Sequence, residues 1–321
     1  MQTLGPMAAP EFLQAVEEQL QQAIASCDLH ARNMANYLVR LGGKRLRPLL
    51  VWNSGSMYGS QPHRTAVAAA AAELVHTASL IHDDILDGAK DRRGQPSLHS
   101  VFGSRLSVLT GDFLFAKSFS LLVREGLFDV LAVMSSAVAA MCEAEMSQMG
   151  QRFGLDITEE QCIEHCRKKT ASLMEACCRA GGMVGMAPPE HIEGLGTYGQ
   201  GIGLAFQITD DILDLVGDDS QLGKPSGLDL ASGVITLPIV HLLGDGDRGK
   251  KARLLLDQGS LSRDDIVAIR TAAVESGAVD SAMGVARECI ARATRALQVL
   301  PDCPGRSRLH AIAVNIMSRN T

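Results

Sequence analysis

Long hydrophobic runs are missing from this 321-residue chain. No stretch of about eighteen consecutive apolar residues occurs, so no integral membrane segment is expected. Aromatic residues are scarce, at 4% with Trp52 the single tryptophan, which leaves no platform for stacking nucleobases. Basic excess is absent too. Thirty Lys and Arg against thirty-six Asp and Glu give a net charge of −6, so a nucleic-acid partner is not expected. The opening Met-Gln-Thr-Leu-Gly-Pro has no basic stretch leading into an apolar one, so no signal peptide is expected and the location reads as cytoplasmic. Paired Cys-x-x-Cys knuckles are lacking among the eight cysteines, which read as buried reduced thiols. Cys162 and Cys166 could share a helical face near His165, a thin hint of metal binding that the buried-thiol reading outweighs.

Alternating β-branched runs are almost absent, while Ala, Leu, Met, Glu and Gln dominate long segments. The spacing of Phe12, Leu13, Val16, Leu20 and Ile24 predicts a helix over 11–27. Further helices are expected over 64–86, 104–124, 128–150, 158–182, 190–216, 234–245, 263–275, 278–299 and 306–318. Punctuation is local and too short for a flexible linker, so 1–321 is expected to be a single all-α domain. Gly194, Gly196 and Gly199 fit G-x-G-x-x-G, but no strand precedes them, so a dinucleotide site is not expected. Gly196, Gly199 and Gly203 read instead as a small-residue ridge for close helix packing.

The most informative feature is a duplication. Asp83-Asp84-Ile85-Leu86-Asp87 and Asp210-Asp211-Ile212-Leu213-Asp214 are both DDILD. At helical spacing the three carboxylates of each copy share one face. Clustered carboxylates repel one another unless a cation or solvent screens them. A single copy is equally readable as a solvated acidic face; two copies in apolar surroundings point to a hard divalent cation, Mg2+, held with substrate phosphates. Two such faces meeting across a cavity are expected to surround a polyanion. Basic residues supply the complement: Gly42-Gly43-Lys44-Arg45-Leu46-Arg47, Arg92-Arg93, Lys168-Lys169-Thr170 and Gly223-Lys224.

Taken in order, GGKRLRP, HDDILD, RRG, GDFLF, KKTASL, FQITDDILD, GKPSGLDL and TLP resemble the trans-isoprenyl diphosphate synthases over nearly the whole chain. The closest likeness is to the long-chain branch and, within it, to the catalytic subunit of heptaprenyl diphosphate synthases. The resemblance implies the isoprenoid-synthase fold, a helical bundle around a deep central cavity. It also implies a dimer, either a homodimer or a heterodimer with a small regulatory subunit. The implied reaction is Mg-dependent condensation of farnesyl or geranylgeranyl diphosphate with isopentenyl diphosphate, repeated to a long all-trans product. By the same likeness Asp83, Asp84, Asp87, Asp210, Asp211 and Asp214 bind metal. Arg92 contacts the allylic diphosphate, and Lys44, Arg47, His76 and Arg93 form the isopentenyl site. Lys169, Thr170, Gln207 and Lys224 lie around the allylic diphosphate and the reacting carbons.

One position departs from the family pattern: Val234 stands where many members have a diphosphate-binding lysine. Small residues at Ala78 and Ser79, where short-chain members carry bulky aromatics, imply a long product. Ala68, Ala69, Ala72, His76 and Ser79 are expected to line a bore that, from Ala68 to Asp87, spans roughly 28 Å. Good helix propensity and tight packing are the alternative account of the alanines. Three other readings stay open: a shorter-chain geranylgeranyl synthase, a class I terpene cyclase, and a non-catalytic subunit. The second DDILD and GGKRLRP weigh against the cyclase, and two intact motifs weigh against the non-catalytic subunit.

Overall fold

The structure, a computed structural model, describes residues 9–25, 28–40, 42–59, 61–150, 153–217 and 226–318. It is helical throughout apart from one two-stranded hairpin. In chain order the helices are α1 (Ala9–Ala25), α2 (Leu29–Arg40), α3 (Leu46–Ser56), α4 (Pro62–Leu86), α5 (Leu98–Phe102), α6 (Ser104–Arg124), α7 (Phe128–Gly150) and α8 (Glu159–Cys166). There follow α9 (Ser172–Val184), α10 (Pro189–Val216), α11 (Leu228–Ala231), α12 (Leu237–Leu243), α13 (Gly246–Leu256), α14 (Arg263–Glu275), α15 (Ala278–Ala296) and α16 (Pro304–Met317). The hairpin pairs β1 (Asp91–Arg92) with β2 (Gln95–Pro96).

Contacts gather the chain into two compact units. One comprises Met1–Val138, Ala176–Gly196 and Val299–Leu309, the other Ala139–Glu175, Thr197–Gln298 and His310–Thr321. In the first, α4 packs against α6, α1 and α3. The apolar stripe of α1 supplies Phe12, Val16, Leu20 and Ile24 to this core, with the Phe12 ring stacked on Trp52 at 5.5 Å. Ala66 and Ala68 to Ala72 are buried. The Ser118 hydroxyl of α6 donates to the Ala71 carbonyl at 2.9 Å, so the two backbones lie close. This corrects the expected bore. Ala68, Ala69 and Ala72 are fully enclosed, because side chains of one carbon let neighbouring helices occupy the space an open channel would need. In the second unit, Leu215, Leu230, Ile239, Leu242, Leu256 and Ile269 form the core.

One further expectation is revised. The helix read over 158–182 is broken by a π-helical turn at Arg167–Ala171, between α8 and α9. In addition, α6 and α7 are long and apolar enough, by length and composition, to cross a membrane, with 33% and 28% of their apolar windows buried. Both helices interleave polar residues with the apolar ones, Thr110, Asp112 and Lys117 in α6 and Ser135, Ser136 and Glu143 in α7.

Candidate active site

In the first unit α4 ends in the first acidic motif. Asp87 caps it, its N–H donating to the Asp83 carbonyl at 2.8 Å, and Gly88 turns the chain at φ +63°. Arg93 and Gly94 then both take positive φ, the backbone a tight two-residue hairpin turn requires. That turn folds Arg92 back onto Asp84: Nε lies 2.8 and 2.7 Å from the two carboxylate oxygens, and Nη2 lies 2.6 Å from Oδ1. The three carboxylates therefore differ. Asp84 is buried and ion-paired, Asp83 is half-buried and Asp87 is exposed.

The segment before α3 brings cations to the same helix. Gly42 adopts φ +59°, and a Cβ on Gly43 would come within 2.8 Å of the Arg93 guanidinium, which therefore lies close against this strap. Lys44 is exposed, and Arg47 is half-buried in the first turn of α3. Arg45, His76, Arg92 and Arg93 border one cleft with Glu73, Thr77 and Leu80. Burial, together with the charges of Arg47, Arg93, Arg92 and Arg45, holds the His76 imidazole pKa well below its usual value. Arg45, Arg47, Arg92 and Arg93 thus act on the one His76 imidazole. Ser79 is half-buried, its hydroxyl donating to the His76 carbonyl at 2.9 Å, whereas Ala78 is fully enclosed. Arg45 and Glu73 were not singled out from the sequence. The available signal was Glu73 itself, the one acid inside the apolar run from Ala66 to Ile81.

In the second unit the π turn carries Lys169 and Thr170. Lys169 pairs with Glu145 at 2.6 Å and donates to Gln148 at 3.1 Å. Gly203 of α10 sits against this turn, since a Cβ there would lie 2.5 Å from the Ala171 Cα. The close approach links Thr170 to Gln207, whose amide donates to Asp211 at 2.7 Å. Cys166 reaches Asp211 at 3.9 Å and so serves the second motif. Burial pushes the Asp211 carboxyl up to about 8, with repulsion from Asp229 and Asp210 adding to it. Asp210 is exposed. Asp214 is buried, and its carboxylate accepts the Asp229 N–H at 3.1 Å, which anchors the entry to α11. Val234 is half-buried beside His165, Gln148 and Cys162. Lys224 lies outside the described residues. Gly194, Gly196 and Gly199 are helical, with no strand before them, and Gly196 lies against Arg179.

Among the described residues, no three His, Cys, Asp or Glu side chains already converge as a ligand set, Cys162, His165 and Cys166 included. The donors that suit magnesium are the hard carboxylate oxygens of Asp83 and Asp87, one helical turn apart, and of Asp210. Magnesium binds through one or two carboxylates and completes its shell with water and phosphate oxygens, so these residues fit it.

Comparison with known proteins identifies the family. Residues 29–272 match the family described as polyprenyl synthetase. The chain is 37% identical over 315 residues to a short chain isoprenyl diphosphate synthase of Methanothermobacter thermautotrophicus, covering 96% of this chain and 97% of that one. It is 32% identical over 308 residues to heptaprenyl diphosphate synthase component 2 of Geobacillus stearothermophilus, covering 96% of each. The crystal structure of a polyprenyl synthase from Caulobacter crescentus, complexed with calcium and isoprenyl diphosphate, superposes with a TM-score of 0.91 at 31% identity, over 98% of this chain and 96% of that one. Two aspartate-rich helices, a cationic cleft beside the first and a match to the family model along most of the chain lead to one assignment: the chain belongs to the polyprenyl synthetase family and is a trans-prenyltransferase.

Proposed function

We propose that the enzyme extends an allylic diphosphate, farnesyl or geranylgeranyl, with isopentenyl diphosphate to a long all-trans polyprenyl diphosphate. The cleft carries this reading, because His76, which precedes the first acidic motif on α4, and Arg92 and Arg93, which follow it in the hairpin, border it together. In this reading Lys44, Arg47, His76 and Arg93 hold the diphosphate of isopentenyl diphosphate. Asp83, Asp87 and Asp210 supply oxygen ligands to magnesium, which neutralises charge on the leaving diphosphate. Arg92 holds Asp84 in place and lies at the allylic diphosphate. Lys169, Thr170 and Gln207 orient Asp211 and face the reacting carbons, and Lys224 adds a further cation. The C–O bond of the allylic substrate breaks, releasing diphosphate, the isopentenyl double bond forms the new C–C bond, and the departing diphosphate accepts the proton that is lost. No protein nucleophile is needed, and preorganised charge supplies the catalysis.

Ser79 is the accessible position for limiting product length. Val234 in place of lysine weakens diphosphate binding or makes it depend on a second chain. Exposed Val101, Phe102, Leu106 and Leu109 on α5 and α6 offer an apolar surface for such a chain, whether another copy or a small dissimilar subunit. Turnover of Asp83→Ala and Asp210→Ala tests the site. Both variants lose condensation by orders of magnitude while keeping helical circular dichroism; unchanged magnesium-dependent turnover in either overturns the assignment.

A further inference from the structure

Arg45 differs from its neighbours in the strap between α2 and α3. Lys44 is exposed, whereas the Arg45 side chain retains only 10% of its surface. Its φ of +47° is left-handed, a conformation that a residue with a side chain keeps only when its surroundings impose it. Two carboxylates impose it here. Nη1 lies 2.7 Å from Glu73 Oε1, while Nε and Nη2 lie 2.7 and 2.6 Å from Glu17 Oε1. Glu73 stands one turn before His76 on α4, is 7% exposed, and buries its second oxygen without a hydrogen-bond partner. Arg45 and Glu73 both border the cleft that holds His76, Arg92 and Arg93.

A buried acid beneath a cationic cleft weakens the pull on an anion, so Glu73 is a poor choice for binding alone. It is a good choice for fixing a guanidinium, because a planar fork can reach two carboxylates at once. We infer that Arg45, clamped between Glu73 of α4 and Glu17 of α1, is a positioning residue that fixes the strap carrying Lys44 and the start of α3 carrying Arg47 for isopentenyl diphosphate. The inference rests on the proposed function and goes beyond it by naming what presets that subsite. Without the clamp, binding the diphosphate must also order the strap, which raises the cost of binding. The Arg92–Asp84 pair joins the hairpin to α4 and shares no residue with the clamp, so the allylic side is expected to be spared.

The test is steady-state kinetics of the full chain and its Arg45→Gln, Arg45→Lys, Glu73→Gln and Arg45→Gln/Glu73→Gln variants, each substrate varied in turn. Arg45→Gln and Glu73→Gln raise the KM for isopentenyl diphosphate about tenfold or more, while kcat and the allylic KM change less than about twofold. Arg45→Lys, which keeps the charge but not the fork, falls between. The double variant is no worse than Arg45→Gln, because both residues act through one contact. An unchanged isopentenyl KM, an equal rise in both KM values, a fall in kcat alone, or additive losses overturns the inference. Where Arg45→Gln does not fold, Arg45→Lys and Glu17→Gln carry the same KM ratio, Glu17 being the more exposed partner at 43%. A folded wild-type chain without condensation removes the proposed function and this inference with it. A wild type that elongates beside variants with an unshifted KM removes the inference alone.

Discussion

The Asp84–Arg92 pair makes an asymmetric prediction. Asp84 keeps 2% of its side-chain surface and Arg92 keeps 25%. Arg92→Gln therefore strands a carboxylate away from water, whereas Asp84→Asn leaves a cation that can still turn to solvent. Breaking a buried pair so that a charge is left uncompensated costs about 3–5 kcal/mol, and partial solvation of this pair places the loss at the lower end, about 3 kcal/mol. The reverse substitution removes a charge-assisted contact without burying an unpaired ion and costs about 1–2 kcal/mol. In a unit of this size each kcal/mol lowers Tm by about 2–4 °C, so Arg92→Gln falls by about 6–12 °C and Asp84→Asn by about 2–8 °C. The double variant, having no stranded charge, recovers part of the Arg92→Gln loss. Thermal melts followed by circular dichroism read all three. An Asp84→Asn loss equal to or larger than that of Arg92→Gln, or strict additivity in the double variant, refutes the reasoning.

Three other outcomes follow from the site. Gly203→Ala forces a Cβ onto the Ala171 backbone, costs about 1–3 kcal/mol by overpacking, and lowers kcat by displacing Thr170 from Gln207; an unaltered kcat and Tm would contradict it. Because the folded His76 pKa is depressed, its contribution to stability is fully present above the unfolded value near 6.5 and is lost as pH falls below it. The wild type then loses up to about 1.4 kcal/mol per pH unit relative to His76→Gln in urea titrations, and parallel curves for the two proteins would exclude this. Ser79→Phe shortens the extracted prenol while preserving turnover, whereas the enclosed Ala78→Phe mainly lowers Tm; identical product lengths from wild type and Ser79→Phe would remove Ser79 from length control.

Periodic apolar residues made α1 legible, and long stretches of strong helix formers made α4, α6, α7 and α10 legible, α4 through its alanine run. The short helices α2, α3, α5, α11 and α13 were not anticipated, since a few turns held by tertiary contacts leave little periodic signal. The π turn was invisible for a different reason. Arg167, Lys168, Lys169 and Thr170 fit an ordinary helix by composition, and the extra residue is accommodated where Gly203 meets Ala171. Within the site, the residue types of both DDILD motifs were legible, but their inequality was not. Which carboxylate is buried depends on partners outside the motifs: Arg92 for Asp84, Gln207 one turn earlier for Asp211, and the Asp229 amide for Asp214. The alanines of α4 misled because small residues serve a channel and a tight helix contact equally well; the Ser118 bond to Ala71 places them in the contact.

The most direct measurement is to incubate the purified full-length chain with farnesyl diphosphate, labelled isopentenyl diphosphate and magnesium, then chromatograph the dephosphorylated products. The account predicts label in all-trans prenols several isoprene units longer than the primer, abolished by chelating the metal. A folded chain that incorporates no label, or incorporates it equally after chelation, would contradict it.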